Sequence, residues 1–140
     1  MQTVDVQQDF SLPVDRVYAY LSEHEHLGRL FGATVTRVKD GDTSRNGVGS
    51  VRRLRIGRLP SFDETVVEAV PDALIRYRIT RGSPLRGHEG VMRFTAGPDG
   101  GSHVDYTIRF GAAVPLLDRV VAAGLRRSIR RGLQTVDALA

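Results

Sequence analysis

The longest hydrophobic pattern in the chain lies at its carboxyl end, from Val114 to Ala140. Apolar residues recur there at three- and four-residue spacing, which predicts a helix with one buried face. At about 1.5 Å per residue, this helix would be roughly 35 to 40 Å long and would lie across a whole sheet. The predicted buried face consists of Leu117, Val121, Leu125, Ile129, Val136 and Leu139. The opposite face carries Arg119, Arg126, Arg127, Arg130 and Arg131.

Small residues interrupt the buried face of this predicted helix. Gly124, Ser128 and Gly132 follow each other at four-residue spacing, where a well-filled core helix would carry leucine or isoleucine. Each interior glycine lowers helix stability by about 1 kcal/mol relative to alanine. Two explanations are open: a neighbouring backbone approaches closely, or the stripe leaves a groove for a small molecule.

The amino-terminal third predicts one strand followed by two short helices. Alternating apolar and polar residues indicate a strand from Thr3 to Phe10. Pro13 suits the first turn of a helix, which continues with apolar residues at helical spacing as far as Leu21. A second helical piece is predicted from Glu25 to Phe31, with Gly32 ending it.

The central part of the chain predicts short strands joined by turns. Six strands follow the helices without another helix between them, so the sheet should be antiparallel and meandering. The first contains Val35 and Val38, and the others span Ser50 to Leu59, Phe62 to Val70, Leu74 to Arg81, Arg86 to Ala96 and Ser102 to Ala112. A five-residue loop before the last strand would pair Phe94 with Val104 and Met92 with Tyr106. His88 would then point inward, near Phe110.

The hairpin around Pro71 allows two arrangements. A three-residue loop turns Val67 and Ala69 inward and pairs Glu68 with Arg76 on the outer face. A loop of two or four residues instead turns Phe62, Glu64, Val66 and Glu68 inward. The first arrangement is favoured because it buries no unpaired carboxylate.

Composition fits a single domain over residues 1–140, with 41% hydrophobic and 26% charged residues. No run of about 18 apolar residues and no basic-then-apolar leader occurs, so a cytoplasmic protein without a membrane span is expected. Cysteine is absent, which excludes disulfides and a thiol nucleophile. The net charge of +4 comes with 19 arginines and one lysine, and by itself gives only weak support for anionic partners.

The order of elements resembles the START-like, or Bet v 1-like, helix-grip fold. The chain is similar to the SRPBCC proteins of the polyketide cyclase/dehydrase and lipid transport family. The similarity is carried by SLPVDRVYAYLSE, GVGSVRR, ETVVEAVPDALIRYRI, HEGVMRFTAGPDGGSHVDYTIRF and the last helix. The resemblance implies an α+β fold in which a long helix and a curved seven-stranded antiparallel sheet enclose a cavity for lipids, polyketides or other apolar molecules. It implies no shared catalytic motif.

Inward-facing polar residues are the candidates for chemistry. His88 and Tyr106, and next Tyr77, could serve as general acid or base in an apolar pocket, or could merely satisfy their polar tips in its wall. The predicted ligand-binding set is Leu54, Ile56, Tyr77, His88, Met92, Phe94, Tyr106, Phe110, Leu117, Val121, Gly124, Leu125 and Ser128. His24 and His26 point in different directions on a helix, and no metal site or cofactor is predicted.

Arginines form two further groups, in the strand after Gly49 and on the outer face of the last helix. The helix group is interpreted as a solvated face, with docking to an anionic membrane or nucleic acid as the alternative. Arg52 and Arg58 share a strand face with Leu54, so one of them could reach the cavity rim and meet a carboxylate or phosphate group.

The leading hypothesis is that the protein carries or binds a small hydrophobic or amphipathic molecule in an interior cavity. The enzymatic alternative is a polyketide cyclase or dehydratase acting in the same cavity, and the second alternative is an interaction module using its arginine-rich surface. The expected partner is a small hydrophobic molecule; nucleic acid and integral membrane association are not expected, while peripheral contact with an anionic surface stays open.

Overall fold

A computed structural model describes all residues, 1–140, as a seven-stranded antiparallel sheet with helices on one side. The strand order is β1-β7-β6-β5-β4-β3-β2, so neighbours along the chain are neighbours in the sheet except that β1 pairs with β7. The strands are β1 (Gln2–Phe10), β2 (Thr34–Lys39), β3 (Val51–Arg55), β4 (Phe62–Val70), β5 (Leu74–Arg81), β6 (Leu85–Ala96) and β7 (Ser102–Ala112). The helices are α1 (Val14–Ser22), α2 (Gly28–Phe31), α3 (Leu117–Gln134) and α4 (Val136–Leu139). This is the helix-grip fold expected from the sequence.

The register between β6 and β7 is the predicted one. Phe94 pairs with Val104 and Met92 pairs with Tyr106, and all four side chains are buried. Further along, β6 has two residues, Gly87 and His88, where β7 has only one between Gly111 and Arg109. This bulge, in which Gly87 has a φ of 59°, leaves the His88 side chain facing the sheet's covered side as predicted.

The hairpin between β4 and β5 combines features of both predicted arrangements. Near the turn, Glu68 lies opposite Arg76 and Ala69 opposite Ile75, as the favoured arrangement requires. A bulge at Val67 then shifts the register, so that Val66 lies opposite Tyr77 and Glu64 opposite Ile79. The favoured prediction is therefore wrong for two residues. Val67 is exposed, whereas Glu64 is 4% exposed and faces the interior.

The amino-terminal helices follow the predicted positions closely. Val17 and Leu21 of α1 are buried, as the helical spacing predicts. The predicted second helix divides into a 3-10 turn, His24–His26, and the short α2. Gly32 ends α2 with a φ of 62°, a left-handed conformation that glycine adopts without strain.

The carboxyl-terminal helix is shorter than predicted and ends in a separate turn. It begins at Leu117, after Leu116 in a left-handed conformation, and it stops at Gln134 before α4. Leu139 is 46% exposed, so its predicted place on the buried face is wrong, whereas Leu133 is fully buried. The helix packs against β1 and α2, and none of the helices is long and apolar enough to cross a membrane.

The small residues of α3 do not form a groove. A Cβ on Gly132 would lie 2.8 Å from Leu30 Cα, and the Ser128 hydroxyl donates a hydrogen bond of 2.9 Å to the Leu30 carbonyl. Gly124 faces outward, and a Cβ there would meet nothing within 4 Å. Close approach of α2 therefore explains Gly132 and Ser128. The groove explanation is wrong, because α2 covers these two residues and Gly124 faces solvent on the outside of the helix.

Candidate functional site

A cavity of about 380 Å³ lies between the first half of α3 and the covered face of the sheet; we call it the α3 cavity. Three residues of α3 form one wall: Leu117, Val121 and Leu125. The sheet and its loops supply the rest: Phe31, Leu54, Ile56, Leu59, Pro60, Phe62, Glu64, Tyr77, Ile79, Gly82, Ser83, Pro84, Leu85, His88 and Ile108. Of these 18 residues 12 are hydrophobic, so the few polar side chains are the candidates for specific recognition.

A buried ion pair stands at the polar part of the cavity wall. Arg52 and Glu64 are direct partners on β3 and β4, and Arg52 Nε donates a 2.7 Å hydrogen bond to Glu64 Oε1. The Arg52 guanidinium lies over the Tyr77 ring at 4.5 Å and over the Phe31 ring at 5.7 Å. Arg52 does not itself line the cavity, whereas Glu64 does. The guanidinium therefore balances the Glu64 charge from behind the wall.

His88 lies beside Glu64 and has its proton position fixed by the backbone. The Ile79 N–H donates a 3.1 Å hydrogen bond to His88 Nδ1, so in the neutral ring the proton is on Nε2. Burial lowers the pKa of His88, which keeps the ring neutral at physiological pH. His88 Nε2 is 3.8 Å from Glu64 Oε2 and makes no hydrogen bond within the chain. A donor and an acceptor thus face the same space.

Two buried tyrosines complete the polar group. The Tyr77 and Tyr106 hydroxyls are hydrogen-bonded to each other, and burial raises the pKa of both phenols, so both are protonated. Tyr77 lines the cavity and its ring lies against Gly90, its cross-strand partner, where a Cβ would overlap the phenol ring. Tyr106 is behind Tyr77 and does not line the cavity.

The structure brings together only part of the predicted site. Seven of the predicted ligand-binding residues border the cavity: Leu54, Ile56, Tyr77, His88, Leu117, Val121 and Leu125. Met92, Phe94, Tyr106 and Phe110 belong to the packed core instead, while Gly124 is exposed and Ser128 contacts α2. The predicted cavity positions of these six residues are wrong. The catalytic candidate His88 faces the cavity, and Tyr106 reaches it only through the Tyr77 hydroxyl.

Glu64 is the main polar residue of the site that the favoured hairpin arrangement placed on the outer face. Strict alternation in β4 places it on one face with Phe62 and Val66, both of which are apolar. The sequence also placed Arg52 on an inward face, with Leu54. An inward arginine on the neighbouring strand was the signal that a buried carboxylate could have a partner. Neither of the two arginines proposed for the cavity rim lines the cavity: Arg52 is 2% exposed and lies behind the wall, and Arg58 lies beyond the end of β3 and is exposed to solvent.

The other histidines and acids form no metal site. No three His, Asp or Glu side chains lie close enough together to hold a metal ion. His24 is fully buried, its Nε2 is 3.1 Å from the Ser50 hydroxyl, and burial followed by the Arg52 charge lowers its pKa to about 3. Since Ser50 donates its own proton to the Gly47 carbonyl, His24 Nε2 must be the donor in that contact.

The surface arginines divide into paired and unpaired groups. Arg53 and Arg81 both bind Asp63, and their hydrogen bonds hold the pKa of that carboxyl well below its usual range. A shallow groove on the outer side of α3 is lined by Ala123, Arg126, Arg127, Arg130, Arg131 and Gln134. None of these four arginines forms an ion pair within the chain, and contact with an anionic surface stays a prediction.

Comparisons with known proteins agree with the fold described above. The model of the polyketide cyclase/dehydrase and lipid transport family matches residues 1–140. A START superfamily protein from Mycobacterium smegmatis is 12% identical with a TM-score of 0.80, and the match covers 99% of each chain. Truncated norcoclaurine synthase from Thalictrum flavum is 10% identical with a TM-score of 0.75, covering 99% of this chain and 94% of that one. None of the curated proteins matches the sequence significantly.

At these identities the solved structures establish the fold alone. The whole-length family match establishes more: the chain belongs to the polyketide cyclase/dehydrase and lipid transport family.

Proposed function

We propose that this member of the polyketide cyclase/dehydrase and lipid transport family binds a small amphipathic molecule in the α3 cavity and acts as its carrier or binding protein. The observation that carries the proposal is an apolar cavity with a confined polar part. Hydrophobic side chains form most of its wall, while Glu64 and His88 place one acceptor and one donor at the same point. Small-molecule sites in proteins commonly combine apolar walls with a few placed polar groups.

The volume of the cavity limits the size of the ligand. About 380 Å³ is in the lower part of the range of ligand pockets, and it equals the liquid volume of roughly a dozen water molecules. This space suits one acyl chain or a small ring system better than a lipid with two chains. Binding would release water from the leucine and valine side chains of α3, which supplies the apolar part of the affinity.

Two adjacent residues of α3 allow a matched test of the site. Val121 borders the cavity, whereas Val120 is 70% exposed on the other side of the helix. Phenylnaphthylamine, an uncharged fluorescent molecule, should bind the parent protein saturably and in high salt. Val121→Phe should lower its affinity about tenfold or more by filling the cavity, and Val120→Phe should leave the affinity unchanged. Equal affinities for both variants would place the probe elsewhere, and no saturable binding would remove the proposal.

A cyclase or dehydratase is the second candidate function. Glu64 and His88 favour it, because a carboxylate that accepts a proton from a carbon next to a carbonyl is set beside an N–H that hydrogen-bonds the resulting oxyanion. A long-chain β-diketone incubated with the protein in heavy water would then exchange its central hydrogens faster than in buffer. Glu64→Gln should reduce this exchange by roughly 10²-fold if Glu64 is the base. If exchange is no faster than in buffer, the cyclase or dehydratase candidate is excluded and only the carrier function remains.

A further inference from the structure

The charges around the α3 cavity indicate which polar group a ligand presents to Glu64. Arg52 and Glu64 contribute one positive and one negative charge, and the pair is 2.7 Å apart. His88 is neutral, and both tyrosines keep their protons. The polar part of the wall therefore has no net charge. A charged ligand would find no unpaired opposite charge there.

The positions of the two charges disfavour anionic ligands further, because Glu64 faces the cavity and Arg52 does not. Arg52 is 2% exposed, and its guanidinium lies over the rings of Tyr77 and Phe31. A ligand carboxylate would approach the Glu64 carboxylate directly, while the compensating guanidinium is behind the wall. Like charges that are forced together without water are strongly unfavourable, and this kind of repulsion excludes ligands.

The distance between the two exposed polar atoms suits one oxygen atom. His88 Nε2 and Glu64 Oε2 are 3.8 Å apart, which is too long for a hydrogen bond between them. An oxygen at about 2.8 Å from each would accept the Nε2 proton and donate its own proton to the carboxylate. A hydroxyl performs both roles, a carboxylate has no proton to donate, and an ammonium cannot accept.

We infer that the α3 cavity selects ligands that end in an uncharged hydroxyl group, bound between His88 Nε2 and Glu64 Oε2, and that it discriminates against carboxylates and ammonium ions of the same length. This inference rests on the proposed function, since it assumes that the cavity is occupied by a ligand. It restricts the amphipathic ligand of the proposed function to alcohols or phenols with an apolar body, and it excludes free fatty acids.

The test compares three molecules with the same chain in displacing phenylnaphthylamine from the parent protein at pH 8. Decanol should displace the probe at a concentration at least about tenfold lower than decanoate or decylammonium. Decanoate would have to bind as the neutral acid. Its apparent affinity falls about tenfold for each pH unit above its own pKa, because the fraction of neutral acid falls by that factor. If decanoate or decylammonium displaces the probe as well as decanol does, this inference is wrong while the proposed function stands. If the probe does not bind at all, the proposed function fails and this inference fails with it.

Two variants connect the discrimination to the named atoms. His88→Leu should weaken decanol binding about tenfold more than it weakens probe binding, whereas His103→Leu, on a partly exposed histidine paired with Asp9, should change neither. The double change of Arg52→Met with Glu64→Gln removes both charges together and should reduce the preference for decanol over decanoate about tenfold. Unaltered discrimination in the double variant, or unaltered decanol binding in His88→Leu, would overturn the assignment.

Discussion

Removing one partner of the Arg52–Glu64 pair should destabilise the protein far more than removing both. The two side chains are 2% and 5% exposed, so a lone charge left by Glu64→Gln or Arg52→Met has little access to water. Breaking such a pair typically lowers the free energy of unfolding by about 3 to 5 kcal/mol. Replacing both members with uncharged residues of similar size is often neutral or even stabilising.

The size of this effect can be converted into a melting temperature. With an unfolding entropy of about 2.1 cal/mol/K per residue, a chain of 140 residues loses about 3 °C for each kcal/mol. Each single variant should therefore melt roughly 10 to 15 °C lower than the parent protein. The double variant, Arg52→Met with Glu64→Gln, should melt within about 3 °C of it. Far-ultraviolet circular dichroism measures these transitions, because the chain has no tryptophan for fluorescence.

An exposed ion pair provides the control for this experiment. Lys39 and Asp42 are 3.5 Å apart, with side chains 60% and 64% exposed, and such surface pairs contribute 0 to about 1 kcal/mol. Lys39→Met should thus lower the melting temperature by no more than about 3 °C. Added salt should not change the fall in melting temperature caused by Glu64→Gln, since water and ions do not reach the buried pair. A Glu64→Gln variant as stable as Lys39→Met would refute the buried pair.

Three further predictions concern the packing and the buried histidine. Gly132→Ala should lower the free energy of unfolding by about 1 to 2 kcal/mol, because the methyl group would press on the α2 backbone. Gly124→Ala should raise the free energy of unfolding by up to about 1 kcal/mol. Urea unfolding measures both, and the opposite ranking would contradict the close approach of α2 to Gly132. Gly90→Ala should displace the Tyr77 ring, lowering stability by about 1 to 3 kcal/mol and weakening probe binding, and unchanged values of both would contradict the contact. His24 has a pKa of about 3 in the folded protein, against an ordinary value of 6.5 for histidine, so the unfolded chain takes up a proton first and stability should fall as the pH drops from 6.5 toward 3. Urea midpoints at pH 7.5 and 5.5 measure this fall, and His24→Gln should show less of it.

Most of the fold could be predicted because its signals are local. Three strands, β4, β5 and β7, have the predicted ends, and the β6–β7 register followed from loop length and the two-residue alternation of apolar side chains. Residue 32 was predicted to end a helix because glycine adopts the left-handed conformation there. These features depend on neighbours in the chain or on one adjacent strand. A single sequence contains such information in a readable form.

The candidate site was harder to predict because its features depend on bulges and on contacts between distant elements. The bulge at Val67 reverses the faces of half a strand, and no turn residue marks it. Gly124 and Gly132 are identical residues eight positions apart, yet one is exposed and the other contacts Leu30 from α2. Only the position of α2 distinguishes them, and that position follows from the whole fold. Periodicity could not have separated a cavity wall from a close contact.

The error at Glu64 leads to an argument about function. From the sequence, an outward Glu64 is favoured because an unpaired carboxylate is unfavourable inside a protein. Its cross-strand partner is Arg52, which would be equally unfavourable inside if it were alone. Together they form a neutral pair, and such pairs commonly stabilise a protein no better than apolar residues of the same volume. If the double variant proves as stable as the parent, stability does not account for the pair. The pair then holds a carboxylate oxygen in the wall of an apolar cavity, next to the His88 N–H, where the proposed ligand would bind.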